Sequence, residues 1–436
     1  MIYEILKVLV GIILKIFFSR MYFHNKAAIP QKGPVILAMN HPTAFIDPIF
    51  ICTHIRPTTH FILRGDLFAN AFNRWFLNEI RTIPIFRKRD GFANLKKNEA
   101  SLEYCYELLH HKAHIIILAE GETKHEKRLR PIQKGTARMA FGTYEKYGNE
   151  DILIIPVGLN YTDSVRFRSE MMVSVGTPIA IADYMEVYNE NPRKAVLQIT
   201  REIQRQLKER VVHIADPADD AWVDQLLLLN RNERLRSSWP PVVDDDQLLR
   251  EEVKLAQQAN AMEGRLKQEQ SESIQAYFKR LGQLKITDRG MVQPEQYRLA
   301  NTMFLLAACP FFFIGYLSNW LPFTLARRIA EKKVKRPEFH SSVRLGACLA
   351  VYCFQFIVFI MLAVLIAWMW KNVLPIVVLM STPLFGFFAV HYQDIYQRWN
   401  EARKAKSLPS DTRKALLKHR SELLEVFRSV KASLPS

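Results

Sequence analysis

Asn40-His41-Pro42-Thr43-Ala44-Phe45-Ile46-Asp47-Pro48 follows directly on the apolar run Val35-Ile36-Leu37-Ala38-Met39. It sets a histidine and an aspartate six positions apart, just past what reads as a buried strand. An imidazole oriented by a carboxylate is a proton acceptor at neutral pH. No serine or cysteine stands nearby in a recognisable nucleophile elbow, which leaves His41 to act directly on a substrate hydroxyl. That narrows the chemistry toward acyl transfer to an alcohol.

Three further stretches carry residues of chemical interest. In Ile83-Pro84-Ile85-Phe86-Arg87-Lys88-Arg89-Asp90 an apolar run ends in a basic cluster, where a guanidinium can grip a phosphate with two hydrogen bonds. Ala119-Glu120-Gly121-Glu122 closes the most apolar strand-like run, and carboxylates at such strand ends face ligand crevices in α/β sheets. Downstream, Lys134-Gly135 opens a helical pattern whose first N–H groups favour an anion. The fourth stretch is Ile154-Ile155-Pro156-Val157-Gly158-Leu159-Asn160-Tyr161. Each alone has a plain structural reading: a packed histidine, a solvated basic turn, a capping glutamate.

The elements that must position these residues alternate. Strand-like runs occupy Val35–Met39 and residues 60–63, 114–119, 152–157 and 172–175, with helical patterns over 94–112 and 135–147. Ile115-Ile116-Ile117-Leu118-Ala119 is continuously apolar, as a strand covered on both faces should be. This alternation predicts an α/β layer fold. Residues 191–212 and 244–281 read as amphipathic helices, the second rich in charge, separated by Pro- and Asp-containing loops.

Apolar residues make up 49% of the 436-residue chain and charged residues 24%, a mixture that suits a soluble domain joined to membrane segments. The net charge of +17 implies an anionic partner. No zinc spacing, helix-turn-helix or RNA-binding pattern supports nucleic acid, so a membrane surface or a phosphorylated substrate is the expected one. The five cysteines form no C-x-x-C pair and read as inert buried thiols. Residues 5–18 are apolar but interrupted by Lys7 and Lys15, which predicts a helix lying in the membrane interface. Residues 343–370, long enough to span a bilayer, and 373–390, shorter, read as two transmembrane helices joined by a tight connection into an antiparallel hairpin. Residues 302–326 are apolar but carry Pro310 and Pro322, with basic residues on both sides; the positive-inside rule favours a broken or re-entrant hairpin there.

Taken together and in order, the four stretches resemble the glycerolipid acyltransferase superfamily, the glycerol-3-phosphate and 1-acylglycerol-3-phosphate acyltransferases, over about residues 25–215. Within it, Asn40-His41-Pro42, the Arg87-Lys88-Arg89-Asp90 ending, the third stretch through Lys134-Gly135 and the appended membrane region look like a glycerol-3-phosphate acyltransferase-like branch. The resemblance implies a mixed sheet flanked by helices. It implies His41 as general base with Asp47 as its partner, Arg87 as phosphate ligand with Arg89 nearby, Glu120, Gly121 and Lys134 at the acceptor site, and Pro156 shaping the acyl-donor side. It also implies a fatty acyl thioester, of coenzyme A or acyl carrier protein, as co-substrate, with no cofactor and no metal. The acceptor is glycerol 3-phosphate or, alternatively, lysophosphatidate or another lysolipid; a catalytically dead lipid-binding scaffold is the remote alternative. The expected layout is an interfacial helix at 1–24, a catalytic domain at 25–215 facing the cytoplasm, a helical linker or arm at 216–300, a multi-pass membrane region at 301–392 and a basic cytoplasmic tail at 393–436. One departure stands out. Five residues separate His41 from Asp47 where the family pattern has four, so the extra residue must be absorbed in the loop, with Thr43 suited to cap the helix that follows.

Overall fold

The computed structural model describes residues 2–86, 97–234 and 239–429. The chain divides into two compact units. The first comprises Met1–His213, Ser238–Arg250 and Arg336–Ser342, the second Ile214–Ser237, Glu251–Lys335 and Val343–Ser436.

The first unit begins with helix α1 (Ile2–Phe17), strand β1 (Arg20–His24), β2 (Val35–Met39), α2 (Ile46–His54), β3 (Thr59–Arg64), α3 (Ala71–Glu79) and β4 (Thr82–Ile85). It continues with α4 (Lys97–His110), β5 (His114–Leu118), α5 (Gly135–Tyr147), β6 (Leu153–Tyr161), β7 (Glu170–Val175), β8 (Ile179–Ala180), α6 (Met185–Glu190) and α7 (Pro192–Lys208). After an excursion into the second unit, the chain returns with β9 (Val242–Val243). The sheet runs β4-β3-β5-β2-β6-β7-β1-β9, with β8 on β6. From β4 to β6 all pairings are parallel, β6 and β7 are antiparallel, and β7-β1-β9 are again parallel, so the sheet is mixed and flanked by helices. All five residues of β2 are buried, which explains why its sequence is apolar throughout rather than alternating. Its neighbours β5 and β6 pair with it along their lengths, Met39 opposite Leu118 and Val157. His41 and Glu120 therefore leave the sheet at adjacent strand ends, where a crevice forms in α/β sheets. Helix α7 shows how locally the sequence specifies its elements: Asn191 accepts from Lys194 N, Pro192 occupies the first turn, and the apolar stripe Ala195, Ile199, Ile203 and Leu207 is fully buried. Helix α1 buries Tyr3, Leu14 and Phe17 and leaves Ile5, Val8, Leu9 and Ile12 exposed.

The remaining elements are helices: α8 (Asp220–Asn232), α9 (Gln247–Ala261), α10 (Gly264–Gln283), α11 (Asp288–Val292), α12 (Leu299–Lys333), α13 (Pro337–Trp370), α14 (Leu374–Met380), α15 (Thr382–Lys406) and α16 (Ser410–Ser429). Residues 214–300 are not a free arm. Trp222 and Tyr277 are fully buried, and Asp288 accepts from Tyr277, Asn232 and Arg420, drawing α8, α10, α11 and α16 together. The tail expected after residue 393 is likewise helical, with Arg420, Leu423, Leu424 and Phe427 buried.

Among the described residues two helices, Leu299–Lys333 and 337–369, are long and apolar enough to cross a membrane. Their apolar side chains are mostly exposed, Leu306 at 72% and Trp368 at 78%, unlike those of a soluble core helix. The broken hairpin expected at 302–326 is not found: α12 is one continuous helix of 35 residues, so its basic flanks lie at opposite ends. The reason is local. Pro322 cannot donate to Ser318 O, and the Gln355 amide of α13 donates there instead, at 2.8 Å. Residues 373–390 are not one spanning helix either. They split into α14 and the start of α15, and Thr382 Oγ1 donates to Leu379 O at 2.7 Å, the carbonyl that Pro383 leaves without a donor. Helices α12 and α15 pack closely through Gly315, where an added Cβ would overlap the Phe385 carbonyl, and Gly386, where it would meet the Asn319 amide at 2.7 Å.

Candidate active site

The loop between β2 and α2 begins with Asn40, whose side chain continues the sheet. Its Oδ1 accepts from Leu159 N at 2.7 Å and its Nδ2 donates to Leu159 O at 2.9 Å, as a peptide group of β2 would. His41 follows, with its backbone N–H donating to Glu120 Oε2 at 2.9 Å. The chain then turns through residues 42–45 before α2 starts at Ile46, placing Asp47 in the first turn. The extra residue is thus absorbed outside the helix, and His41 Nδ1 lies 2.9 Å from Asp47 Oδ2.

Asp47 is fully buried, and every polar contact it makes suits a carboxylate. Besides His41, Oδ2 accepts from Thr43 N at 2.9 Å, and Oδ1 accepts from Thr43 Oγ1 at 2.6 Å and from Tyr161 Oη at 2.7 Å. Thr43 is therefore not the N-cap of α2; Phe45 holds that position, and the Thr43 hydroxyl turns to Asp47. Burial, with the Asp47 charge beside it, holds the Tyr161 phenol well above its ordinary range, so it stays a proton donor. With Nδ1–H committed to Asp47, the free lone pair of His41 is on Nε2.

His41 lines an apolar cleft of about 580 Å³. Ile62, Leu63, Ile85, Leu102 and Ile117 form its apolar wall, and Gly121, Gln133, Gly135 and Thr136 its polar end. The Thr136 hydroxyl is buried and has no hydrogen-bond partner among the described residues. Gly121 sits at φ +77°, a conformation that glycine adopts without strain. The carboxylate of Glu120 points into the protein: Oε1 accepts from Arg130 N and Oε2 from Arg130 Nη2, both at 2.9 Å, as well as from His41 N. Glu120 is thus a brace behind the histidine, while its neighbour Gly121 reaches the cleft. Lys134 is exposed at the N-terminus of α5, and Pro156 lies within β6 opposite Ala38; neither is among the residues that line the cleft. Arg87 and Arg89 lie outside the described residues. Cys52 and Cys105 are buried, which pushes both thiols up to about 12, so neither offers a thiolate at neutral pH.

An acyltransferase family model matches residues 20–160, a span that contains the first three stretches and the fourth as far as Asn160. Glycerol-3-phosphate O-acyltransferase 2 of Saccharomyces cerevisiae is 28% identical over 145 residues, 33% of this chain and 19% of that one. Glycerol-3-phosphate O-acyltransferase 1 of the same yeast is 32% identical over 114 residues, 26% of this chain and 15% of that one. Residues 20–160 therefore match an acyltransferase domain, and this part of the chain is similar to glycerolipid acyltransferases. It spans less than a fifth of the length of either yeast relative. Among solved structures, the 1-acyl-sn-glycerophosphate (LPA) acyltransferase PlsC from Thermotoga maritima aligns over 45% of this chain and 78% of its own, at 17% identity and a TM-score of 0.32.

In this acyltransferase-like domain, sequence reasoning paired His41 with Asp47 but missed what holds them. Tyr161 closes the fourth stretch, yet nothing in its spacing shows that β6 brings it beside Asp47. Arg130 sits in a run of charges with no periodicity to mark it. Thr136 reads as an ordinary helix residue.

Proposed function

We propose that this acyltransferase moves a fatty acyl group from a thioester, of coenzyme A or acyl carrier protein, to a hydroxyl of glycerol 3-phosphate. The observation that carries the reading is the 2.9 Å contact between His41 Nδ1 and Asp47 Oδ2 at the edge of an apolar cleft. His41 Nε2 takes the hydroxyl proton as the oxygen attacks the thioester carbonyl. The tetrahedral intermediate then expels the thiolate, which recovers the proton from the imidazolium. General-base help of this kind is worth about 10²–10⁴-fold. Asp47 fixes the tautomer and stabilises the imidazolium. A thiolate leaves readily, so no acyl-enzyme is required. The cleft suits an acyl chain, and the phosphate of the acceptor calls for a basic side chain, a role we assign to Arg87 from its place in the second stretch. The yeast relatives carry glycerol-3-phosphate acyltransferase names, which favours that acceptor. We place the chain in a membrane as a multi-pass protein, with the catalytic unit on the cytoplasmic side. The two membrane-length helices and the exposed apolar stripe of α1 support this.

Purified full-length protein should release thiol from acyl-CoA when glycerol 3-phosphate is added, and His41→Ala should abolish the release. If His41→Ala keeps most of the activity, the general-base assignment is wrong. Faster release with lysophosphatidate than with glycerol 3-phosphate would move the acceptor assignment to the lysolipid.

A further inference from the structure

In the chain, Arg336–Ser342 is the start of the second membrane-length helix with the residue before it, far beyond the family-matched region, yet it packs as part of the first unit. Its contacts converge on the loop that carries His41 and Asp47. Ala44 N donates to Glu338 O at 3.1 Å, and Phe45 N donates to Ser342 Oγ at 3.0 Å. The Ser341 hydroxyl donates to Ser164 O, and the Phe339 ring stands edge-on to Phe45 with centroids 6.3 Å apart. The first N–H groups of a helix have no partner within it. Phe45, at the N-cap of α2, has no side-chain acceptor to offer them. A segment nearly three hundred residues away supplies acceptors for the N–H groups of Phe45, the N-cap, and of Ala44 just before it.

Arg336 and Phe339 also line the cleft with His41. Among the described residues lining it, the other arginine or lysine is Arg64, whose Nε and Nη2 are both held by Asp66, at 3.1 and 2.6 Å. Arg336 pairs with Glu338 through Nη2 and lies over the Phe339 ring at 5.5 Å. A guanidinium has five N–H donors in a fixed fork, so this pairing leaves Arg336 able to engage a phosphate.

We propose that Arg336–Ser342 is part of the substrate site, with Arg336 binding a phosphate ester of a substrate while Glu338 and Ser342 hold the loop of the proton acceptor. The phosphate belongs either to the monoester of the acyl acceptor or to the coenzyme A moiety of the donor. The inference rests on the acyltransferase reading. Its test is therefore made on binding as well as turnover, with full-length protein in detergent.

Equilibrium dialysis measures radiolabelled glycerol 3-phosphate and, separately, coenzyme A on the wild type and on Arg336→Gln. Steady-state assays vary each substrate in turn. Arg336→Gln is expected to weaken one ligand roughly tenfold or more and to raise the matching KM, with a much smaller effect on kcat; Arg336→Lys should recover part of the loss. The ligand that weakens identifies which phosphate Arg336 holds. Ser342→Ala should lower kcat several-fold and leave both KM values in place. Equal binding of both ligands by wild type and Arg336→Gln, or no binding by the wild type, overturns the proposal. Binding lost in Arg336→Gln in a protein without thioester release would instead keep the site and discard the reaction.

Discussion

The four hydrogen bonds to Asp47 decide how the histidine works. A buried carboxylate stays charged only when donors surround it, and here His41, Thr43 and Tyr161 supply them. Tyr161→Phe removes one donor without altering the shape of the site. It is expected to lower kcat roughly tenfold, the factor equivalent to about 1.4 kcal/mol and close to the lower end of the range for a hydrogen bond to a charged group. KM values should hold, because Tyr161 does not line the cleft. An unchanged kcat would show that Asp47 keeps its place without the phenol. Asp47→Asn should cost far more, because its amide can donate to Nδ1 and so stabilise the wrong tautomer. At this scale the sequence was readable where chemistry lies close along the chain, as with His41 and Asp47. It was silent where a partner comes from another strand, as with Tyr161, and it did not show the bonds of Glu120 to His41 N and Arg130, because a carboxylate at a strand end looks the same whether it faces a cleft or a backbone.

Elements were legible in proportion to their autonomy. The strand at Val35–Met39 and the helix at Gly135–Tyr147 fall where apolar period and flanking residues put them. Strand β9 could not be seen: two valines between Pro241 and Asp244 become a strand only because β1 pairs with them. Helix α12 misleads in the opposite way. Its prolines read as breaks, and the donor that repairs the second lies in another helix. Gln355→Leu should therefore destabilise the detergent-solubilised protein by about 0.6–1.7 kcal/mol. In a Pro322→Ala background the same substitution should cost clearly less, since residue 322 then donates to Ser318 itself. Thermal unfolding of the four proteins of this cycle checks the link, and an equal cost in both backgrounds would break it.

For the whole molecule, the first unit carries an acid weakness. His54 is half-buried and His60 buried in the folded state, and loss of water around the rings lowers both from an ordinary 6.5 to about 4. His114 is lowered too, mainly by burial. The unfolded chain takes up these protons below about pH 6.5, while the folded chain resists until near pH 4. Stability from these groups is thus complete above pH 6.5 and drains away as the pH falls toward 4. Melting temperatures should drop between pH 7 and 5, and His54→Gln with His60→Gln should flatten that slope. A melting temperature that is level across the range would contradict it.

The way the chain returns to its first unit also sets an order in time. During synthesis β1 to β7 can assemble early, but the N–H groups of Ala44 and Phe45 wait for Glu338 and Ser342, which are translated only after α12. At about 5–20 residues per second that delay is on the order of ten to thirty seconds. Over that interval the nascent chain holds the histidine loop unfinished, and the residues that complete it are made only once the first membrane-length helix is already in place to be inserted. Ribosome timing thus lets these last two contacts of the histidine loop form only after the first membrane-length helix has been made.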